Sequence, residues 1–266
     1  MRELIAGGEA ALQALRTLVS WAEARGEAAW RVTAADAPFL TPVEPRSCFA
    51  AGRNFDKHRA ESIAGNPGIV GANFHVEFPT GFIKLGRVRV PHRTEVARPA
   101  GVMLFDYEIE PAVVLSERLH DADRATAARA IFGYTIFNDL SAREWQLAEM
   151  KNQLLMLGKN FPGFGPIGPY VVTADEIPDA RRLALRLDVN GGVRQESLCD
   201  DMIFCFDELV SFWSRMGLEP GDVVTGGTPE GVALRRKPDP APFYLKPGDV
   251  VHATIDQIGT LETTIV

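Results

Sequence analysis

The chain has 266 residues, 46% of them hydrophobic and 24% charged, with a formal net charge of −7. That length holds one large domain, or one with a small companion. The acidic balance argues against nucleic acid and anionic membrane surfaces as partners, and no apolar run is long enough to span a bilayer.

Residues 1 to about 30 read as helix, with Leu12, Leu15, Leu18, Val19 and Ala22 on one apolar stripe. The N-terminus carries Glu3 and Glu9 and no long apolar stretch, so no signal peptide is expected. Pro38, Pro42 and Pro45 mark an extended linker, and a boundary there divides a small N-terminal domain (1–45) from a main domain (46–266). Ser47–Ala51 predicts a buried strand. A short polar helix follows from Asp56 to about Ala64, and Gly65-Asn66-Pro67-Gly68 stops it. Residues 66–80 read as loop and Gly81–Leu85 as strand. One strand is expected over 102–116, a short helix over 121–130 and another strand over 131–137.

A longer helix is expected over 141–157, with Ser141 as its cap and Glu144 completing a capping box. The Gly/Pro-rich stretch 158–169 reads as loop, 170–173 as strand, 183–196 as a hairpin turning at Asn190-Gly191, and 206–216 as helix. Pro220-Gly221-Asp222 and Pro247-Gly248-Asp249 each predict a turn that launches a strand. Strands outnumber helices without regular βαβ alternation, so the expected class is a strand-rich α+β fold. Cys48, Cys199 and Cys205 form no Cys-x-x-Cys pair and are odd in number, which points to reduced thiols and a cytoplasmic setting.

Two glycine patterns carry no nucleotide. Gly163-Phe164-Gly165-Pro166-Ile167-Gly168 fits G-x-G-x-x-G, but its prolines remove backbone donors and a strand follows where a helix is needed. Gly158-Lys159 has no Walker glycine in register. Arg235-Arg236-Lys237, the one tight basic cluster, reads as a solvated loop.

The stretch Phe105-Asp106-Tyr107-Glu108-Ile109-Glu110 stands inside an otherwise apolar strand. Residues two apart share a strand face, so Glu108 and Glu110 stand side by side. Adjacent half-buried carboxylates repel and lose hydration, and a hard divalent cation relieves both. An edge strand with both acids in water explains the pattern equally well. Asp139, at the end of the next apolar strand, would complete a three-carboxylate oxygen site, although an N-cap or Asx-turn aspartate fits there too. With no histidine or cysteine cluster competing, magnesium, manganese or calcium suits these oxygens better than zinc.

His58 and Glu61 share one face of the polar helix. A glutamate holding an imidazole makes a general base for water, while an exposed ion pair is the commoner meaning of such spacing. Lys159 can face a developing oxyanion or simply sit at a helix C-terminus. Arg143 and Gln146 share a helix face that could hold a carboxylate or carbonyl, or be solvated. Thr228 follows two glycines, where a backbone approaches a ligand closely, or is a turn residue.

Taken in order, these blocks resemble the fumarylacetoacetate hydrolase family from about residue 47 to the C-terminus. Gly52-Arg53-Asn54-Phe55-Asp56-Lys57-His58-Arg59-Ala60-Glu61 is similar to its G-x-N-Y-x-x-H-x-x-E segment, and Asp106–Glu110 to its D-Y-E-x-E strand. Gly133–Arg143 resembles G-Y-x-x-x-N-D-x-S-A-R, and Gly158-Lys159-Asn160-Phe161 with Pro166–Pro169 resembles G-K-x-F…P-x-G-P. Val189-Asn190-Gly191, Asp201–Phe204 and Gly227-Thr228-Pro229 complete the set. Phe55 in place of tyrosine, Pro111 after the acidic pair, and Gly226 where threonine is usual depart from the pattern. Gly163-Phe164-Gly165, in place of an Asp-Thr-Phe type of sequence, departs from it too.

The resemblance implies a β-roll of mixed sheets with short flanking helices, a small variable N-terminal domain and a homodimer. It implies Glu108, Glu110 and Asp139 as ligands to magnesium or manganese, with calcium also admissible. It implies His58 and Glu61 as a water-activating dyad on a lid, Lys159 as support for the leaving carbanion, and Arg53, Arg143, Gln146 and Thr228 as substrate contacts. The activity it implies is hydrolysis of a C–C bond in a small 1,3-dicarbonyl acid such as an acylpyruvate, with the 2-oxo acid end at the cation. Isomerisation, decarboxylation or hydration of a 2-oxo or 2-hydroxy-dienoic acid at the same site is the first alternative. A non-catalytic, metal-dependent small-acid binding protein is the second.

Overall fold

The computed structural model describes residues 1–26, 32–33, 37–65 and 77–266; the C-terminal end of the expected first helix and most of the 66–80 loop lie outside them. The N-terminal helix is two helices, α1 (Arg2–Ala6) and α2 (Gly8–Arg25), broken where Gly8 takes φ 58. That left-handed backbone cannot continue an α-helix and is cheap only for glycine. The expected apolar stripe is not buried. No residue of α2 is, and Leu15, Leu18 and Val19 are exposed. The remaining helices are α3 (Asp56–Gly65), α4 (Arg124–Arg129), α5 (Arg143–Lys151) and α6 (Phe206–Trp213).

The strands dominate, as expected. In chain order they are β1 (Cys48–Ala51), β2 (Gly81–Ile83), β3 (Arg89–Val90), β4 (Thr94–Val96), β5 (Phe105–Asp106), β6 (Ile109–Leu115) and β7 (Ile131–Asn138). Then come β8 (Ser141–Ala142), β9 (Gly165–Thr173), β10 (Ala184–Val189), β11 (Gly192–Leu198), β12 (Val223–Thr225), β13 (Val250–Ile255) and β14 (Gly259–Ile265). A seven-stranded mixed sheet has the order β2-β1-β12-β6-β7-β9-β3, and a five-stranded sheet the order β11-β10-β13-β14-β4. Strands β5 and β8 form a separate two-stranded pair.

Burial follows from the sequence of each strand. In β13 (Val-Val-His-Ala-Thr-Ile) burial alternates, so one face is core and the other wet. Strand β6 is buried at every position. Val113 and Leu115 join the main core, with Leu187, Val251 and Ile255 from the five-stranded sheet. Ala112 and Val114 join a second cluster with Val43, Cys48, Phe137 and Ile5 of α1. Two covered faces explain why this stretch reads as a continuous apolar run. Each fully buried Val or Leu contributes roughly 1.5–3 kcal/mol, which offsets the cost of burying acids on the same strand.

Three further expectations are corrected. The strand over 102–116 is broken between β5 and β6, at Tyr107-Glu108. Ser141 is not a helix cap: Ser141-Ala142 is β8, and α5 starts at Arg143 without a side-chain cap. The Glu144 carboxylate accepts instead from the Met103 and Leu104 amides at 2.6 and 2.7 Å, a pairing across about forty residues that no local pattern reveals. Strand β9 begins at Gly165, five residues early, because it is held between β3 and β7. Pro111 is tolerated in a central strand because it lies just past the end of β12: its carbonyl accepts from the Gly226 amide at 2.7 Å, and the Gly226 carbonyl is taken by Asn54 Nδ2 at 2.9 Å, so no donor is needed from residue 111. Among the described residues no helix is long and apolar enough to cross a membrane.

Candidate active site

The ladder between β6 and β7 runs past the strand ends. Ile109 pairs with Asn138; beyond them the Asp139 amide donates to the Glu108 carbonyl at 2.8 Å, and the Glu108 amide to Asn138 Oδ1 at 3.0 Å. Sheet geometry therefore sets Glu108, Glu110 and Asp139 together, with a ligand oxygen of each within 4.8 Å of the others. All three are buried, not the water-facing edge that their sequence also allowed.

Three buried cations answer them. Lys159 Nζ donates to Glu108 Oε2 and Asp139 Oδ2, both at 2.6 Å. Lys84 Nζ donates to Asp139 Oδ1 at 2.6 Å, to the Phe164 carbonyl at 2.8 Å, and to the Lys159 carbonyl. The Arg143 guanidinium spans Asp106 Oδ2 and Glu108 Oε1, each at 2.7 Å, and reaches Gln146 Oε1 at 2.6 Å. Four carboxyl groups (Asp106, Glu108, Glu110, Asp139) thus face three cations.

Glu110 is where the balance fails. Its carboxyl accepts from the Thr225 hydroxyl and has no direct ion pair among the described residues. Burial pushes its pKa well above the ordinary value, and Asp139 and Glu108 push the same way. For Glu108, burial also opposes charge, yet Lys159 and Arg143 override it and hold the carboxyl below the usual range. Burial would lower Lys159, but Asp139 and Glu108 outweigh it and its pKa is raised. In Lys84 burial wins and the pKa is lowered.

A cleft of about 600 Å³ opens over this layer. Eight of the ten expected site residues line it; Glu61 and Asp139 stand behind, bonded to His58 and Lys159, which do line it. His58 Nδ1 lies 3.4 Å from Glu61 Oε2 on α3, and the Gly231 amide donates to Glu61 from 3.4 Å. His58 is buried, so the pair is not a solvated ion pair. Helix α3 starts where it does because Asn54 is pinned: its amide donates to the Phe204 and Gly226 carbonyls at 3.0 and 2.9 Å. Thr228 is fixed by Gln195, whose Nε2 donates to the threonine hydroxyl at 2.9 Å while its Oε1 accepts from the Ile109 amide at 3.0 Å.

Sequence reasoning missed Lys84, Gln195 and Thr225, and it assigned no role to Asp106. Lys84 offered one signal, a lysine inside an apolar strand. It also misread Arg235, which is half-buried and lines the cleft, as part of a solvated loop. Arg236 beside it donates to the Gly231 carbonyl at 3.2 Å and to the Arg194 carbonyl.

The acidic layer fits a hard divalent cation. Its donors are all oxygen, their spacing suits one ion, and Glu110 is a buried carboxyl that a cation would neutralise. Such an ion would compete with Lys159 for Glu108 and Asp139.

The family model described as fumarylacetoacetate (FAA) hydrolase C-terminal matches residues 47–266. A fumarylacetoacetate hydrolase domain-containing protein 2 homolog from Dictyostelium discoideum is 32% identical over 244 residues, 88% of this chain and 76% of that protein. A Burkholderia cenocepacia relative is 41% identical over 162 residues, 60% of this chain and 56% of that protein's length. Among solved structures, 2-hydroxyhepta-2,4-diene-1,7-dioate isomerase from Mycobacterium marinum superposes with a TM-score of 0.71 at 30% identity, covering 87% of this chain and 79% of that one. Fumarylpyruvate hydrolase from Pseudomonas aeruginosa, in complex with Mn2+ and pyruvate, gives 0.72 at 28% identity over 88% of this chain and 94% of that one. The blocks read in the sequence, the mixed-sheet roll and these matches agree: the chain belongs to the fumarylacetoacetate hydrolase family.

Proposed function

We propose that the protein is a divalent-cation-dependent hydrolase that cleaves a C–C bond in a small acylpyruvate-type acid. The observation that carries this reading is the placement of the His58–Glu61 pair and the Glu108–Asp139–Lys159 layer on one cleft. Magnesium, manganese or calcium, held by Glu108, Glu110 and Asp139, would supply Lewis-acid polarisation of the 2-oxo acid end.

The chain's own groups do the rest. Glu61 fixes the proton on His58 Nδ1, leaving Nε2 as the base that takes a proton from water. The hydroxide adds to the distal carbonyl carbon. The C–C bond then breaks, its electron pair passing to the pyruvyl fragment as an enolate. Lys159 places positive charge where that negative charge develops. The proton on His58 returns to the enolate carbon, giving a carboxylic acid and pyruvate. Arg143, Gln146 and Thr228 orient the substrate, and the apolar Leu147 and Val232 limit water in the cleft.

In this reading residues 46–266 carry the chemistry, with 1–45 a small accessory unit, in a cytoplasmic homodimer acting on a small-molecule 2-oxo acid. Free cysteines support a reducing setting. The likeness to an isomerase supports a second reading, in which His58 moves a proton between carbons instead of activating water. Incubation with acylpyruvates and 2-hydroxy-dienoic acids, with magnesium, manganese or EDTA, tests both. Pyruvate release that EDTA abolishes is expected; isomerised product without cleavage would overturn the hydrolase reading.

A further inference from the structure

We infer that Arg235, together with Arg53, forms a second anion-recognition point in the cleft that selects a substrate whose acyl group ends in a carboxylate. This rests on the reading above, in which the 2-oxo acid end sits at the acidic layer.

The argument starts from the loop after Gly231, which is pinned on both sides of Arg235. The Ala233 and Leu234 amides donate to the two Asp106 oxygens at 2.8 and 3.0 Å, and Arg236 is tied to the Gly231 carbonyl at 3.2 Å. Arg236 lies over the Phe243 ring at 5.2 Å and does not line the cleft, whereas Arg235 does. Adjacent arginines thus serve different surfaces, one structural and one facing the cleft. Asp106 also holds Arg143 at 2.7 Å, so one buried carboxylate fixes the positions of two cleft arginines.

Arg53 lines the same cleft. Its φ is 56, a left-handed backbone that glycine meets at lower cost than any L side chain. Keeping arginine there is favourable when the side chain itself is needed. Both guanidinium-bearing residues line the one cleft; burial lowers the Arg235 pKa, Arg143 and Arg53 push it the same way, and Glu61 opposes them. The Gly231 amide at the start of this loop donates to Glu61, the partner of His58, at 3.4 Å, so the loop that carries Arg235 lies on the dyad side of the cleft. In the proposed reaction that side receives the acyl group, whose far end then meets the arginines. Guanidiniums match a carboxylate in bidentate geometry.

Calorimetric titration of the full chain, in magnesium buffer, with 2-oxoadipate and 2-oxohexanoate tests this. The two have equal length and differ in a terminal carboxylate against a methyl group. The wild-type protein is expected to prefer the dicarboxylate by about 10- to 100-fold, the range of charged hydrogen bonds. Arg235→Met should collapse that ratio toward unity, Arg53→Met should move it the same way, and Arg235→Lys should keep part of it. A wild-type ratio near one, or an equal loss of both ligands in Arg235→Met, overturns the inference and leaves the hydrolase reading standing. Binding of neither 2-oxo acid overturns the reading and the inference with it.

Discussion

Glu110→Gln separates the two energies that meet at Glu110. In the cation-free protein this carboxyl is buried beside Asp139 and Glu108 and has a raised pKa. The native state then holds a proton that the unfolded chain releases near the ordinary carboxylate value. Stability contributed by that proton is full below the unfolded pKa, declines as pH rises through the raised native pKa, and is flat above it. Glutamine keeps the shape and a carbonyl acceptor for Thr225 without a charge to bury. In EDTA the variant should therefore unfold at a higher temperature than wild type, and its advantage should grow with pH. A gain of about 1 kcal/mol corresponds to roughly 2–4 °C for domains near this size. With magnesium or manganese the order reverses. Wild type gains about 2.7 kcal/mol at a cation concentration 100 times Kd, while the variant, missing one oxygen ligand, gains much less. Cation binding to wild type should also release protons, seen as a dependence of the calorimetric heat on buffer ionisation, and this release should vanish in Glu110→Gln. A variant less stable in EDTA at alkaline pH, or one with unchanged cation affinity, would refute the argument.

His58→Asn should lower kcat by about 10²–10⁴-fold in a pyruvate-release assay, while cation affinity measured by calorimetry stays within a few-fold. Lys84→Met removes a fully buried partner of Asp139 and should cost about 3–5 kcal/mol, read as a lower urea midpoint. Burial pushes the Cys48 thiol up to about 12, so it should resist a thiol reagent at pH 8 until the protein unfolds.

The sequence made Glu108, Glu110 and Asp139 visible because carboxylates are conspicuous within and at the ends of apolar strands, whereas His58 and Glu61 on a polar helix and Lys159 in a turn stood out only through the ordered family blocks. Glu108, Glu110 and Asp139 meet through strand pairing that alternation and strand ends already suggested. Lys84 was not legible as their partner because 55 residues separate it from Asp139. Gln195 reaches Ile109 across 86 residues from the other sheet, which no local pattern encodes. The apolar positions of α2 have helical spacing, but spacing does not say whether a neighbour covers them, and here none is buried. Glu144 had the right offset from Ser141 for a capping box and served two amides of a distant loop instead. Arg235 looked like its neighbours Arg236 and Lys237. Only the anchoring of the loop to Asp106 turns one of the three inward.

The hydrogen bonds that carry the β6–β7 ladder past its end divide the site mechanically. Glu108 and Asp139 are tied by main-chain bonds to a central, doubly covered strand pair, so moving one against the other requires opening the sheet itself. Helix α3 has no such frame: beyond its firm base at Asn54 and Phe55, only His58 and Ser62 are buried among its described side chains. Among the described residues little apolar surface holds it down, and elements of that kind open at a small fraction of the global unfolding free energy. In the proposed mechanism the His58–Glu61 pair would lift for substrate entry and product exit while the oxygen layer keeps its spacing, so turnover would not cost the site a bound cation.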